Sequence, residues 1–194
     1  MALTVEVGAV NLPAVGETAI GDAYCVLTLD QQILVALADG LGHGEEAAEA
    51  SAIAMHHVEA HAHQPLKPLL EGCHRALRGS RGVVMAVALI DLTAGTVLHA
   101  GIGNVETRIV GVDKVRRPIS HNGILGYQLR NVRVETYPYS PGDLVVMHSD
   151  GVSERFEVSP ASRETDPQLL ASQVAHAHGK HNDDQTIVVV RIHA

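Results

Sequence analysis

Three aspartate clusters flank apolar runs in this chain, and their spacing points to metal chemistry. The first closes Ile33-Leu34-Val35-Ala36-Leu37-Ala38 with Asp39-Gly40, followed by Leu41-Gly42-His43-Gly44. The second closes Leu144-Val145-Val146-Met147-His148-Ser149 with Asp150-Gly151. The third, Asp183-Asp184, opens Gln185-Thr186-Ile187-Val188-Val189-Val190. Carboxylates at strand ends are held by rigid backbone. If three such ends converge they make an all-oxygen site for hard divalent cations such as Mg²⁺ or Mn²⁺. A single Asp-Gly would read as a hairpin turn. The first copy does not, because Glu45-Glu46-Ala47-Ala48-Glu49-Ala50 after it is a strong helix opening.

Other chemistries find less support. The 13 histidines include His56, His57, His61, His63, His74, His176, His178 and His181, expected on exposed helix faces or helix ends. None pairs with cysteine at zinc spacing, and no His-Glu-x-x-His occurs. Only His43 and His148 lie close in sequence to a candidate metal aspartate. Cys25 and Cys73, the only two cysteines, suit buried apolar positions better than a disulfide framework. No Gly-x-Ser-x-Gly elbow signals a Ser/His/Asp triad.

Composition narrows the partners. The formal net charge is −8, which disfavours nucleic acid and anionic lipid. Aromatics are 3% with no Trp, so stacking platforms for single strands are largely absent and the core must be Val, Ile, Leu and Ala. No signal peptide or membrane span is legible, and a cytoplasmic protein is expected. The 194 residues suit one domain, 1–194, with a substantial core.

The elements that position the aspartates follow from periodicity. Leu3 to Val7 alternates as a strand. Asp22–Leu29 and Ile33–Ala38 form a hairpin about Asp30-Gln31. Ala47, Ala50, Ile53, Ala54, Val58 and Ala62 give a helix over 45–62, with acidic residues at its dipole-favoured start. Leu66, Leu69, Leu70, Cys73 and Leu77 give a second helix, ended at Arg78-Gly79. Strands are expected over 82–90, 96–100, 106–110, 132–137, 143–149 and 185–192. Asp166-Pro167 caps a helix with apolar face Leu169, Leu170 and Val174, stopped at Gly179. Strands do not alternate with helices, so the expected fold is α+β: an antiparallel β-sandwich of two sheets flanked by helices.

Six segments, in order, resemble the metal-dependent protein phosphatases (the PPM or type 2C family). They are Gly21-Asp22-Ala23-Tyr24, Ala38-Asp39-Gly40-Leu41-Gly42-His43-Gly44, Arg81-Gly82-Val83-Val84, Gly101-Ile102-Gly103-Asn104-Val105, Gly142-Asp143 through Ser149-Asp150-Gly151, and Asp183-Asp184-Gln185-Thr186. Within that family the chain is most similar to the SpoIIE/RsbU/RsbX-type bacterial serine phosphatases, the RsbX type above all. The resemblance implies an α-β-β-α sandwich and a phosphoserine/phosphothreonine phosphatase that needs two Mn²⁺ or Mg²⁺ ions. It further implies phosphorylated STAS-domain proteins of a stressosome-like complex as partners. By position, Asp39 resembles the metal-bridging aspartate and the Gly40 carbonyl a further ligand. Asp150 and Asp183 resemble the other direct ligands, with Asp184 as the alternative to Asp183. Asp22 resembles the acid that holds the reacting water. The ions, about 3.5–4 Å apart, would activate that water for in-line attack on phosphorus.

Two positions depart from the pattern. Asn104 stands where many relatives carry Asp, so a third ion is not expected. The segment Gly16-Glu17-Thr18-Ala19-Ile20 lacks the arginine that eukaryotic relatives use to grip phosphate, leaving that task mostly to the metals. Without room for a flap insertion the cleft should be open to a folded substrate. The competing readings are a catalytically silent phosphoprotein-binding module of the same fold and a histidine-based Ni²⁺ or Zn²⁺ buffer.

Overall fold

The computed structural model describes residues 4–193. One sheet has the order β1 (Val5–Leu12), β11 (Gln185–Ile192), β10 (Leu144–His148), β6 (Glu106–Val110), β7 (Val115–Arg116) and is antiparallel throughout. The other has the order β2 (Asp22–Leu29), β3 (Gln32–Gly40), β4 (Val83–Asp91), β5 (Thr96–Ile102), β8 (Ser120–His121), with β9 (Glu135–Pro138) also on β5. Helices α1 (Glu45–His61) and α2 (Leu66–Ala76) cover the second sheet, and α3 (Pro167–His178) covers the first.

Side chains that alternate along each strand divide the interior into three layers. On β3, Leu34, Ala36 and Ala38 face α1 and α2, where they meet Val58, Leu69 and Leu70. Ile33, Val35 and Leu37 point the other way, between the sheets, onto Val145, Met147, Val188 and Val190. Leu144, Val146, Ile187 and Val189 then pack against Leu170, Ala171 and Val174 of α3. Central strands therefore read as unbroken apolar runs because both faces are covered. Each fully buried Leu contributes about 1.5–3 kcal/mol, so a core without Trp suffices.

Most expected elements appear within a residue or two. The first strand is longer than expected and starts at Val5; Leu3 lies outside the described residues. The expected strand over 132–137 shrinks to Glu135–Pro138, because Val132 is buried in the layer beneath α2 and not in the ladder. Leu169 is exposed; α3 buries Pro167, Leu170, Ala171, Val174 and Ala175 instead. The sheets are not wholly antiparallel, since β8 runs parallel to β5 over two residue pairs. Neither β7, β8 nor the short 3₁₀ turn Pro160–Glu164 has a periodic signature long enough to read. The helical histidines are also less uniform than expected. His56, His63 and His176 are exposed, whereas His57 and His61 are half-buried and stack with ring centroids 4.2 Å apart.

Candidate metal centre

The site lies at one end of the sandwich. Antiparallel pairing sets Asp22, the first residue of β2, directly opposite Asp39 near the end of β3. In the other sheet, β10 ends where β11 begins, with His148 opposite Ile187. Ser149 locks that junction: its N–H donates to the Thr186 carbonyl at 3.0 Å, and its Oγ accepts from Thr186 N–H at 3.1 Å. Asp150 follows β10 and Asp183-Asp184 precede β11. Asp39, Asp150 and Asp183 consequently line one open cleft of about 410 Å³, together with Gly42, His43 and Asn104.

Close backbone packing explains the glycine of each Asp-Gly pair. A Cβ on Gly40 would lie 2.3 Å from the Ala47 carbonyl at the start of α1. A Cβ on Gly151 would lie 1.8 Å from the Asp184 carbonyl. Neither glycine has a positive φ, so neither serves a left-handed hairpin turn. They let α1 and the Asp183-Asp184 loop press against the strand ends that carry the aspartates. Gly42 and Gly44 do have positive φ, 89° and 79°, and they turn the chain from β3 into α1.

The aspartates occupy different surroundings. Asp184 is buried, and its carboxylate accepts from Ala14 N–H at 2.8 Å and from Gly21 N–H at 2.6 Å. Asp184 is thus a clamp on the segment leading into β2, whereas its neighbour Asp183 faces the cleft. Burial pushes the Asp39 carboxyl up to about 8, reinforced by repulsion from Asp22, Asp150, Asp183 and Asp184. Burial likewise pushes Asp22 up to about 7, against the Ser149 and Thr186 hydroxyls that favour its charged form. The Asp183 carboxyl is raised by burial and by Asp150. Asn104 donates from Nδ2 to Asp150 Oδ2 at 2.8 Å.

This donor set fits hard cations. All the groups are oxygens, the carboxylates repel one another, and the buried Oδ2 of Asp22 has no hydrogen-bond partner. Among the described residues, no three Asp, Glu, His or Cys side chains yet stand close enough to enclose one ion directly. Mutual repulsion opposes such closure, and ions of this kind commonly retain water as part of their shell. Histidine contributes little. His43 is exposed and meets Glu17 at 3.0 Å. His148 is buried, with Nδ1 on the Ser149 carbonyl at 2.9 Å and Nε2 3.3 Å from Glu106.

Sequence reasoning missed two cations. Lys180 donates from Nζ to the main-chain carbonyl of Asp150. Arg108 is fully buried behind Glu106, on the Phe156 carbonyl at 2.6 Å and the Glu154 carbonyl at 2.9 Å. A lone lysine in a loop and an arginine in a strand carry no local signal of either role.

The β-sandwich between helices is the fold of the PP2C phosphatases, and the family match and a phosphatase relative make the chain a metal-dependent serine/threonine phosphatase of that class. The chain belongs to the SpoIIE family: the model for stage II sporulation protein E matches residues 30–193. Phosphoserine phosphatase RsbX of Bacillus subtilis (strain 168) is 26% identical over 139 residues, 71% of this chain and 70% of RsbX. A chain from a structure described as the bacterial stressosome, a modular system adapted to control secondary messenger signalling, is 33% identical. It superposes with a TM-score of 0.91 over 97% of this chain and 100% of that one. The crystal structure of RsbX in complex with magnesium shares the fold, with a TM-score of 0.86 at 21% identity over 97% of this chain and 95% of that one. Among the described residues no helix is long and apolar enough to cross a membrane.

Proposed function

We propose that this chain removes phosphate from serine and threonine of STAS-domain proteins in a stressosome-like complex, in the cytoplasm, using two Mn²⁺ or Mg²⁺ ions. The observation that carries this reading is the convergence of Asp39, Asp150 and Asp183 on one open cleft, with Asp22 opposite Asp39 and its buried Oδ2 without a hydrogen-bond partner. The likeness to RsbX and to a chain of the stressosome structure supports the choice of partner.

In this reading Asp39, the Gly40 carbonyl, Asp150 and Asp183 hold the ions, and Asp22 orients the reacting water. When bound, the ions polarise water and offset charge on the phosphoryl oxygens. The chain's residues prepare the rest. Asp22 and Asp39, held near 7 and 8, give up protons as cations bind, so loading strengthens as pH rises. Asp184 fixes the segment before Asp22 by its two backbone hydrogen bonds. Asn104 holds one oxygen of Asp150 without adding a charge, which accords with two ions and no third. Water attacks phosphorus in line as the ester oxygen departs, so no protein nucleophile is required.

The test compares kcat/KM on a phosphorylated STAS-domain scaffold protein and on free phosphoserine. A preference of at least 100-fold for the protein is expected, because contacts around an open cleft add binding that the free amino acid lacks. Equal efficiency, or no action on the phosphoprotein, would refute the assignment of partner.

A further inference from the structure

Next to the acidic cleft lies a second pocket of about 420 Å³, and the two share the wall formed by Asn104 and Asp150. Two cations line it, Arg155 and Lys180, along with Glu106 and Glu154. Glu106 is already committed, with Arg108 Nη2 3.4 Å from its carboxylate. Among the described residues, neither Arg155 nor Lys180 forms an ion pair.

Lys180 is the better placed of the two. Its N–H donates to the Gly151 carbonyl at 2.8 Å, and its carbonyl accepts from Asp183 N–H at 3.3 Å and from Gln185 Nε2 at 3.2 Å. The backbone of Lys180 therefore joins the two loops that carry Asp150 and Asp183. Its ammonium is then fixed on the Asp150 carbonyl. An ammonium has three N–H donors, and one is used. A phosphate monoester brings close to two negative charges and three strong acceptor oxygens. In a chain of net charge −8 whose cleft is lined with carboxylates, a tethered, unpaired cation in the second pocket, held against the shared wall through the Asp150 carbonyl, complements such a group.

We propose that Lys180 is a phosphate-binding residue, contacting the phosphoryl group at the wall shared by the two pockets. The proposal rests on the phosphatase reading of the cleft.

The experiment compares Lys180→Gln and Lys180→Arg with wild type in the full chain. Gln retains a donor for the Asp150 carbonyl and removes the charge. Binding of inorganic phosphate to the Mn²⁺-loaded protein is measured by calorimetry, and kcat and KM on a phosphorylated STAS-domain protein by phosphate release. Mn²⁺ affinity and melting temperature are measured alongside. Lys180→Gln should weaken phosphate binding and raise KM, each about tenfold, with Mn²⁺ affinity changed less than twofold, and Lys180→Arg should recover most of the loss. Unchanged phosphate affinity in Lys180→Gln would overturn the proposal. So would a loss of Mn²⁺ affinity as large as the loss for phosphate, since that marks a loop-holding role. A wild-type protein that binds phosphate through Lys180 yet hydrolyses no phosphoprotein would sink the phosphatase reading and leave this assignment standing.

Discussion

Asp39→Asn should abolish turnover and, in the absence of metal, stabilise the protein. Asp39 titrates near 8 in the folded chain, against an ordinary value of 3.8. Between those values the folded state holds more protons than the unfolded state, so apo stability falls as pH rises across this window. The rise of roughly four pH units corresponds to an upper limit of about 6 kcal/mol for the fully ionised form. Burial is the leading cause, and repulsion from Asp22, Asp150, Asp183 and Asp184 supplies the rest. An asparagine amide still meets the cost of burying a polar group but escapes the repulsion, so only part is recovered, about 1–2 kcal/mol at pH 8. For a chain of this size that is about 3–6 °C in melting temperature. The assay is thermal unfolding in chelator from pH 5 to 8.5. The wild type should lose stability with rising pH, the variant should lose less, and saturating Mn²⁺ should remove most of the wild type's dependence. Phosphate release by the variant should fall at least 100-fold. A variant melting below wild type at pH 8, or a flat wild-type profile, would refute the electrostatic account, and near-normal turnover would refute the role of Asp39.

Three further outcomes are expected. Chelator should eliminate phosphatase activity and Mn²⁺ or Mg²⁺ should restore it, because carboxylate and carbonyl oxygens bind hard ions with moderate strength; full activity after exhaustive chelation would rule out a metal-dependent reaction. Asp184→Ala should cost about 2–4 kcal/mol in urea unfolding, since it leaves the buried Ala14 and Gly21 N–H groups unpaired. Asp183→Asn should instead leave stability within about 1 kcal/mol and weaken Mn²⁺ binding measured by calorimetry.

Much of this was legible in the sequence because the core strands have an unambiguous signature. Ile33–Ala38 and Ile187–Val190 are continuous apolar runs, which a doubly covered sheet requires, and both became central strands. The Asp166-Pro167 cap was readable because it is local: Asp166 Oδ1 accepts from Leu169 N–H at 2.9 Å. What escaped depends on contacts distant in sequence. Val132 looks like a strand residue, yet its burial beneath α2 is fixed by the loop that carries it. Asp183 and Asp184 are adjacent and chemically identical in sequence. Only the approach of Ala14 and Gly21, more than 160 positions away, makes one a clamp and leaves the other facing the cleft. Lys180 is invisible for the same reason, since its partner is a main-chain carbonyl 30 residues upstream.

The register of the second sheet shows why the site demands so much scaffold. Like charges directly opposite each other in an antiparallel pair are destabilising, and Asp22 faces Asp39 in that arrangement. The hairpin would relieve this by slipping one residue, but the pleat forbids it. A one-residue shift would exchange Leu34, Ala36 and Ala38 with Ile33, Val35 and Leu37 between two different apolar layers. Gly40 adds a second restraint, because only a residue without Cβ fits against the Ala47 carbonyl. Two packed layers and one close backbone contact thus hold a repulsive carboxylate pair in place. Near neutral pH protons held on Asp22 and Asp39 relieve the repulsion and must leave as cations enter; above about pH 8 the repulsion persists until cations remove it.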